Sequence, residues 1–134
     1  MARLGHRTET ARLFGGMFAA SNSTNLRRLP ELFCGFHRRP DQGPTSYPVA
    51  CTPQAWAAAA IPAFMQACLG LGFDPAARAV RFDRPGLPAF IDSVILRNLS
   101  LGSASVSVQI SRTPGEVSVS VIERQGDIRV VTTA

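Results

Sequence analysis

The pattern of apolar and polar positions divides the chain into a helical first half and a β-rich second half. Apolar side chains recur at helical spacing over Thr8–Ala20, with charged residues on the opposite side, which predicts an amphipathic helix. A second helix is predicted from Pro53 to Leu69, because Thr52 is a residue type that caps helices and proline suits the first helical position.

The second predicted helix is apolar on every side, which is typical of a helix that is buried all round. Pro62 lies inside it and should kink or break it, since proline removes a helical hydrogen bond. Gly70 and Gly72 follow its last apolar residue and are expected to end it. No apolar run reaches the roughly 20 residues that a membrane span needs, so we expect no membrane partner.

From Phe73 onwards the pattern changes to short β-type segments. Apolar and polar residues alternate with period two over residues 104–110 and again over 117–121, and a further β-type segment covers 128–131. Short turns join these three segments, which predicts an antiparallel meander. Its Val and Ile face is expected to pack on the preceding helices. The predicted fold class is therefore α+β.

Composition indicates a globular protein. With 134 residues, of which 46% are hydrophobic and 17% charged, the chain is long enough to bury a core and too apolar to be disordered. The net charge of +5 comes mainly from arginines spread along the chain, without any zinc-finger, RNA-binding or phosphate-loop motif. Nucleic acid is therefore not an expected partner. Salt-dependent binding to DNA or RNA would support the alternative of a nucleic-acid-binding protein.

The cysteines and histidines suggest neither a disulfide framework nor a metal site. Cys34, Cys51 and Cys68 are odd in number and form no CxxC pair, which favours a reducing compartment and a cytoplasmic protein. His6 and His37 lack the spacing of metal ligands, so we expect no metal and no cofactor.

The candidate chemistry lies in the segment between the two predicted helices. Glu31 follows Pro30, whose fixed backbone angle holds the chain rigid beside the carboxylate, and a loop rich in Pro, Gly and polar residues comes next. A carboxylate in a rigid segment beside a polar loop is a candidate functional residue. A surface or structural glutamate is the alternative, because one carboxylate without a visible partner is weak evidence.

Two motifs in this segment resemble a known family. RLPELFCGF at Arg28–Phe36 and YPVACTPQAWAAA at Tyr47–Ala59 resemble glycogen debranching enzymes of the amylo-α-1,6-glucosidase type. The family's fold is an (α/α)₆ barrel, also described as six-hairpin glycosidase-like, which needs several hundred residues. The resemblance therefore implies that residues 1–72 are the C-terminal segment of a helical-barrel glycosidase domain. Residues 73–134 then form an antiparallel β-rich segment packed on it.

The resemblance implies hydrolysis of α-1,6-linked glucose in glycogen-like glucans, with Glu31 as general base. The general acid is then expected from a preceding part of the barrel, which becomes a possible partner, and the isolated chain is expected to be inactive. Candidate sugar contacts are Arg28, Tyr47, Gln54 and Trp56. Arg28 is alternatively a solvated turn residue and Trp56 a core residue. A non-catalytic fragment that binds carbohydrate, or does nothing alone, is the alternative function.

Overall fold

The computed structural model describes residues 5–133. Two helices, α1 (Arg7–Ser21) and α2 (Ala55–Leu69), flank an irregular segment that contains one short 3₁₀ turn, Asn25–Arg27. Six strands follow: β1 (Leu71–Asp74), β2 (Ala79–Asp83), β3 (Ser93–Leu101), β4 (Ala104–Thr113), β5 (Glu116–Gln125) and β6 (Arg129–Thr133). This order confirms the α+β class, while the finer expectation of barrel helices stays a prediction.

The strands form two three-stranded sheets. The second sheet is an antiparallel meander with the order β3–β4–β5, in which the alternation of apolar residues predicted the pairing of β4 with β5 but not the addition of β3. The first sheet has the order β1–β2–β6, in which β1 pairs with β2 antiparallel.

The predicted continuation of the meander into residues 128–131 is wrong. Instead of folding back on β5, β6 crosses to the first sheet and pairs in parallel with β2, with Ala79 opposite Arg129. Backbone hydrogen bonds close both ends of this pairing, from Arg129 N to Arg78 O at 2.8 Å and from Arg84 N to Thr133 O at 2.8 Å. The crossover buries Ile128 in the hydrophobic core, where it packs with apolar residues of both sheets. Only 1% of its surface is exposed.

One hydrophobic core joins the two sheets. Its fully buried members include Phe82 of β2 and Val108 of β4, and Leu69 contributes from the end of α2. The Val and Ile face of the meander was expected to pack on the helices. That expectation holds only in part, since α2 supplies Leu69 and the partly buried Met65, while β2 supplies Val80 and Phe82.

Helix α2 differs from its prediction in start and burial. Gln54, not Thr52, lies at the cap position, where its side-chain oxygen accepts the N–H of Ala55 at 3.1 Å; the hydroxyl of Thr52 donates to the Ala50 carbonyl instead. The helix continues through Pro62 without interruption. It is not buried all round, because its only buried residues in the described chain are Ala57, Cys68 and Leu69.

Gly70 ends α2 and starts the first sheet. Its φ of +58° is the left-handed conformation that glycine adopts without strain, and its N–H donates to the carbonyl of Ala67 at 3.3 Å. The carbonyl of Gly70 in turn accepts the N–H of Asp83 at 3.0 Å. Gly72 was also expected to end the helix, but it lies inside β1, paired with Arg81.

The helices are joined to each other and to the β2–β3 connection by a cluster of aromatic rings. Phe14 of α1 stacks on Phe64 of α2 at 5.7 Å between ring centroids, and it meets Phe90 edge-on at 5.4 Å. Phe18 also stacks on Phe90, at 4.5 Å between ring centroids. Such pairs contribute about 0.5–1.5 kcal/mol each beyond their buried area, so this cluster fixes α1 against the rest of the fold.

Candidate functional site

The segment between α1 and α2 is organised by a short antiparallel contact. Phe33 and Ser46 form an isolated β-bridge, and the N–H of Cys34 donates to the carbonyl of Thr45 at 3.0 Å. The thiol of Cys34 lies beside the carbonyl of Ser46, with 3.5 Å between sulfur and oxygen. These contacts close the base of the loop formed by residues 35–44, so the loop projects from a fixed stem.

Glu31 lies on the stem and is held by Cys51 in two ways. The backbone N–H of Glu31 donates to the carbonyl of Cys51 at 3.0 Å. The backbone N–H of Cys51 donates to the Glu31 carboxylate at 3.3 Å. The carboxylate is therefore oriented by the backbone, and the residue is partly exposed. This arrangement brings the two motifs of the sequence into direct contact.

The predicted sugar contacts lie around this segment. Arg28 is exposed immediately after the 3₁₀ turn, and it forms no ion pair with Glu31. Tyr47 follows the bridge and is 45% exposed. Trp56 lies in the first turn of α2 with 59% of its surface exposed, so the core-packing alternative does not describe it in residues 5–133.

The five predicted site residues are not joined into one network. Between residues 5 and 133, no side chain among Glu31, Arg28, Tyr47, Gln54 and Trp56 hydrogen-bonds another of the five. Gln54 uses its side-chain oxygen to cap α2. The direct partner of Glu31 is a backbone group of Cys51, which sequence reasoning did not assign. No residue type marks a backbone donor, so only the spacing of the two motifs could have suggested it.

A cleft of about 800 Å³ opens beside the stem. One wall is the carboxyl-terminal half of α1, around Gly16 and Ala20, and the other is the loop from Phe36 to Thr45. Small-molecule sites typically occupy about 300–1,000 Å³, so the cleft has the size of a ligand site. The sequence predicted a loop beside the candidate site here, but not a cleft against α1. The signal that could have suggested a ligand site was Phe36 followed by His37 and two arginines in one loop.

Metal and membrane functions receive no structural support from residues 5–133. No group of three His, Cys, Asp or Glu side chains there is arranged to hold a metal ion. Neither of the described helices has the length and hydropathy that crossing a bilayer requires. All three cysteines are free thiols, and burial of Cys68 raises its pKa, an effect that the nearby Arg7 charge partly offsets.

Comparison of the chain with models of protein families, with curated proteins and with solved structures gives no match.

Proposed function

We propose that the chain is part of a glycoside hydrolase of the amylo-α-1,6-glucosidase type, with Glu31 as general base. The observation that carries this proposal is the carboxylate of Glu31, which accepts a hydrogen bond from the Cys51 N–H at 3.3 Å in a partly exposed position. The hydrogen bond orients the carboxylate in a place that a substrate or water can approach, and a general base must lie within reach of the proton that it takes.

The surroundings of Glu31 suit a sugar substrate. Tyr47 and Trp56 expose aromatic rings on the two chain segments that lead away from Cys51. Aromatic faces pack well against the C–H faces of pyranose rings, while the phenol and indole N–H supply hydrogen bonds. In this proposal Glu31 takes a proton from the attacking water, and the exposed rings hold the glucosyl unit. Arg28 contributes donors to sugar hydroxyls.

Hydrolysis of a glycosidic bond takes a second carboxyl group as the acid. In the proposed enzyme a preceding barrel segment supplies it. The second candidate function, carbohydrate binding without turnover, is favoured for residues 5–133 alone, because in that range only the Glu31 carboxylate is anchored in the stem.

Glucose release from a glycogen limit dextrin tests the proposal. A chain extended upstream to a complete barrel should release glucose, and the 134-residue chain alone should release none. Glucose release by the 134-residue chain alone would contradict the proposal. So would an extended chain that folds correctly but releases no glucose.

A further inference from the structure

The cleft between α1 and the loop has the surface of a ligand site, although the stem chemistry does not use it. We define the loop cleft as the space between the carboxyl-terminal half of α1 and residues 36–45. Phe36 lies at its edge with 70% of its surface exposed, an unusual position for a phenylalanine. Arg38 and Arg39 line the same space, and neither guanidinium hydrogen-bonds any residue between 5 and 133.

The loop is pressed against α1 at one point. Gly43 approaches Ser23, just beyond the end of α1, so closely that an added Cβ would collide with the serine side chain. Together with the Phe33–Ser46 bridge at the loop's base, this contact holds the loop on two sides. The loop cleft is therefore a shape fixed by packing and backbone hydrogen bonds.

The charge of the loop cleft argues against a strongly anionic ligand. Arg38 and Arg39 supply two positive charges, and Asp41 in the same lining supplies one negative charge. The carboxyl end of α1, which forms the other wall, carries roughly half a negative charge from the helix dipole. The remaining positive charge is too small to favour a phosphate dianion.

The mixture of groups suits a neutral ligand that is rich in hydroxyls. The guanidinium groups are pure donors, the Asp41 carboxylate is a pure acceptor, and Gln42 and Thr45 offer both functions. A sugar hydroxyl both donates and accepts, so this set can satisfy several hydroxyls at once. The exposed Phe36 ring adds an apolar face for the C–H side of a pyranose ring.

We propose that the loop cleft binds a stretch of an α-glucan chain. The identity of the sugar follows from the proposed function, whereas the location follows from the cleft itself. Phe36 follows Glu31 by five positions in the chain, a distance that an extended backbone spans in at most about 18 Å. The loop cleft therefore lies near enough to the stem to hold the neighbouring part of the glucan whose terminal unit reaches Glu31.

Titration of the ¹⁵N-labelled 134-residue chain with maltoheptaose, followed by NMR, tests the proposal. The expected shifts lie in residues 36–45 and in the last two turns of α1. Phe36→Ala should weaken maltoheptaose binding roughly three- to tenfold, the range for loss of one aromatic contact. Phe73→Ala is the matched control, since Phe73 is another exposed phenylalanine but lies on β1, and it should leave the affinity unchanged.

A glycine pair tests the shape of the loop cleft. Gly43→Ala should push the loop away from α1 and weaken binding, while Gly35→Ala should not, because a Cβ there meets no described atom within 4 Å. Arg39→Gln should also weaken binding, and Arg97→Gln on β3 should not.

Three results would overturn the assignment of the loop cleft. The first is an absence of maltoheptaose shifts, and the second is shifts confined to Glu31, Tyr47 and Trp56 with Phe36→Ala behaving as wild type. The third is binding of inorganic phosphate, but not of maltoheptaose, by the same residues. None of these decides the role of Glu31, which is tested separately by turnover in the extended chain.

Discussion

The guanidinium of Arg7 donates a hydrogen bond to the carboxylate of Asp83 at 2.9 Å, which joins the first residue of α1 to the last residue of β2. Arg7 also donates to the carbonyl of Arg84. The same Asp83 carboxylate accepts the hydroxyl of Thr133 on β6 at 2.9 Å. One carboxylate therefore connects the helical half to two strands of the first sheet.

These contacts predict a pH-dependent stability. The hydroxyl of Thr133, and then the guanidiniums of Arg84 and Arg7, lower the pKa of Asp83 below its usual value. A carboxyl group with a lowered pKa in the folded state stabilises the fold above its unfolded pKa of about 3.9, and this contribution is lost as the pH falls through the folded pKa. Asp83→Asn should therefore lower the urea midpoint near pH 7.

The difference between Asp83→Asn and wild type should shrink when urea unfolding is repeated near pH 3. Asp92→Asn is the control, because Asp92 is exposed and its side chain hydrogen-bonds no residue in the range 5–133. A difference between Asp83→Asn and wild type that is the same at both pH values would show that the carboxylate charge contributes nothing.

The close approach of Gly70 to Asp83 leads to a second prediction about stability. An added Cβ there would collide with the carbonyl of Asp83, and it would lie 2.8 Å from the Asp83 carbonyl carbon. Gly102 has nearly the same backbone angle, with φ of +60°, but no described atom within 4 Å of such a Cβ. Gly102→Ala should thus cost only the left-handed strain, about 1–2 kcal/mol.

Gly70→Ala should exceed the cost of Gly102→Ala by at least about 1 kcal/mol, the lower end for overpacking. Chemical denaturation of both variants measures the difference in the free energy of unfolding. Equal costs would mean that the close approach of Gly70 to β2 does not constrain the fold.

The two halves of the chain were predictable to different degrees. The period-two alternation in Ala104–Thr113 and Glu116–Gln125 predicted β4, β5 and their antiparallel pairing, because a turn between adjacent segments leaves few other solutions. The same logic failed for β6. Its apolar pattern indicates a strand with one buried face, but it does not show with which strand β6 pairs. The partner, β2, lies about 50 residues earlier in the chain.

The burial of α2 was wrong for a different reason. Apolar composition shows for which side chains burial is favourable, but it does not show whether the described residues can bury them. Trp56, Ala59 and Ala63 remain exposed. At the candidate site, the motifs predicted that Glu31 and the 47–59 segment belong together, whereas the backbone donor of Cys51 carries no residue-type signal.

The exposed apolar face of the two helices predicts self-association. Leu13 is 48% exposed beside a groove of about 380 Å³ between α1 and α2, which is lined almost wholly by apolar side chains. Contiguous apolar surface of this kind favours association. Sedimentation velocity should show a concentration-dependent increase in mass, and Leu13→Ser should reduce it, whereas Ile95→Ser on β3 should not. A monomer at high concentration that binds no hydrophobic dye would contradict this prediction.

The central claim is that Glu31 acts as the general base, and turnover by Glu31→Gln in the barrel-extended chain tests it most directly. Glutamine keeps the shape and can still accept the Cys51 N–H, but it cannot take a proton. Glucose release from limit dextrin should fall by about 10²–10⁴-fold, with the melting temperature nearly unchanged. Glu9→Gln, on the exposed side of α1, should retain full activity. An active Glu31→Gln enzyme would contradict the assignment.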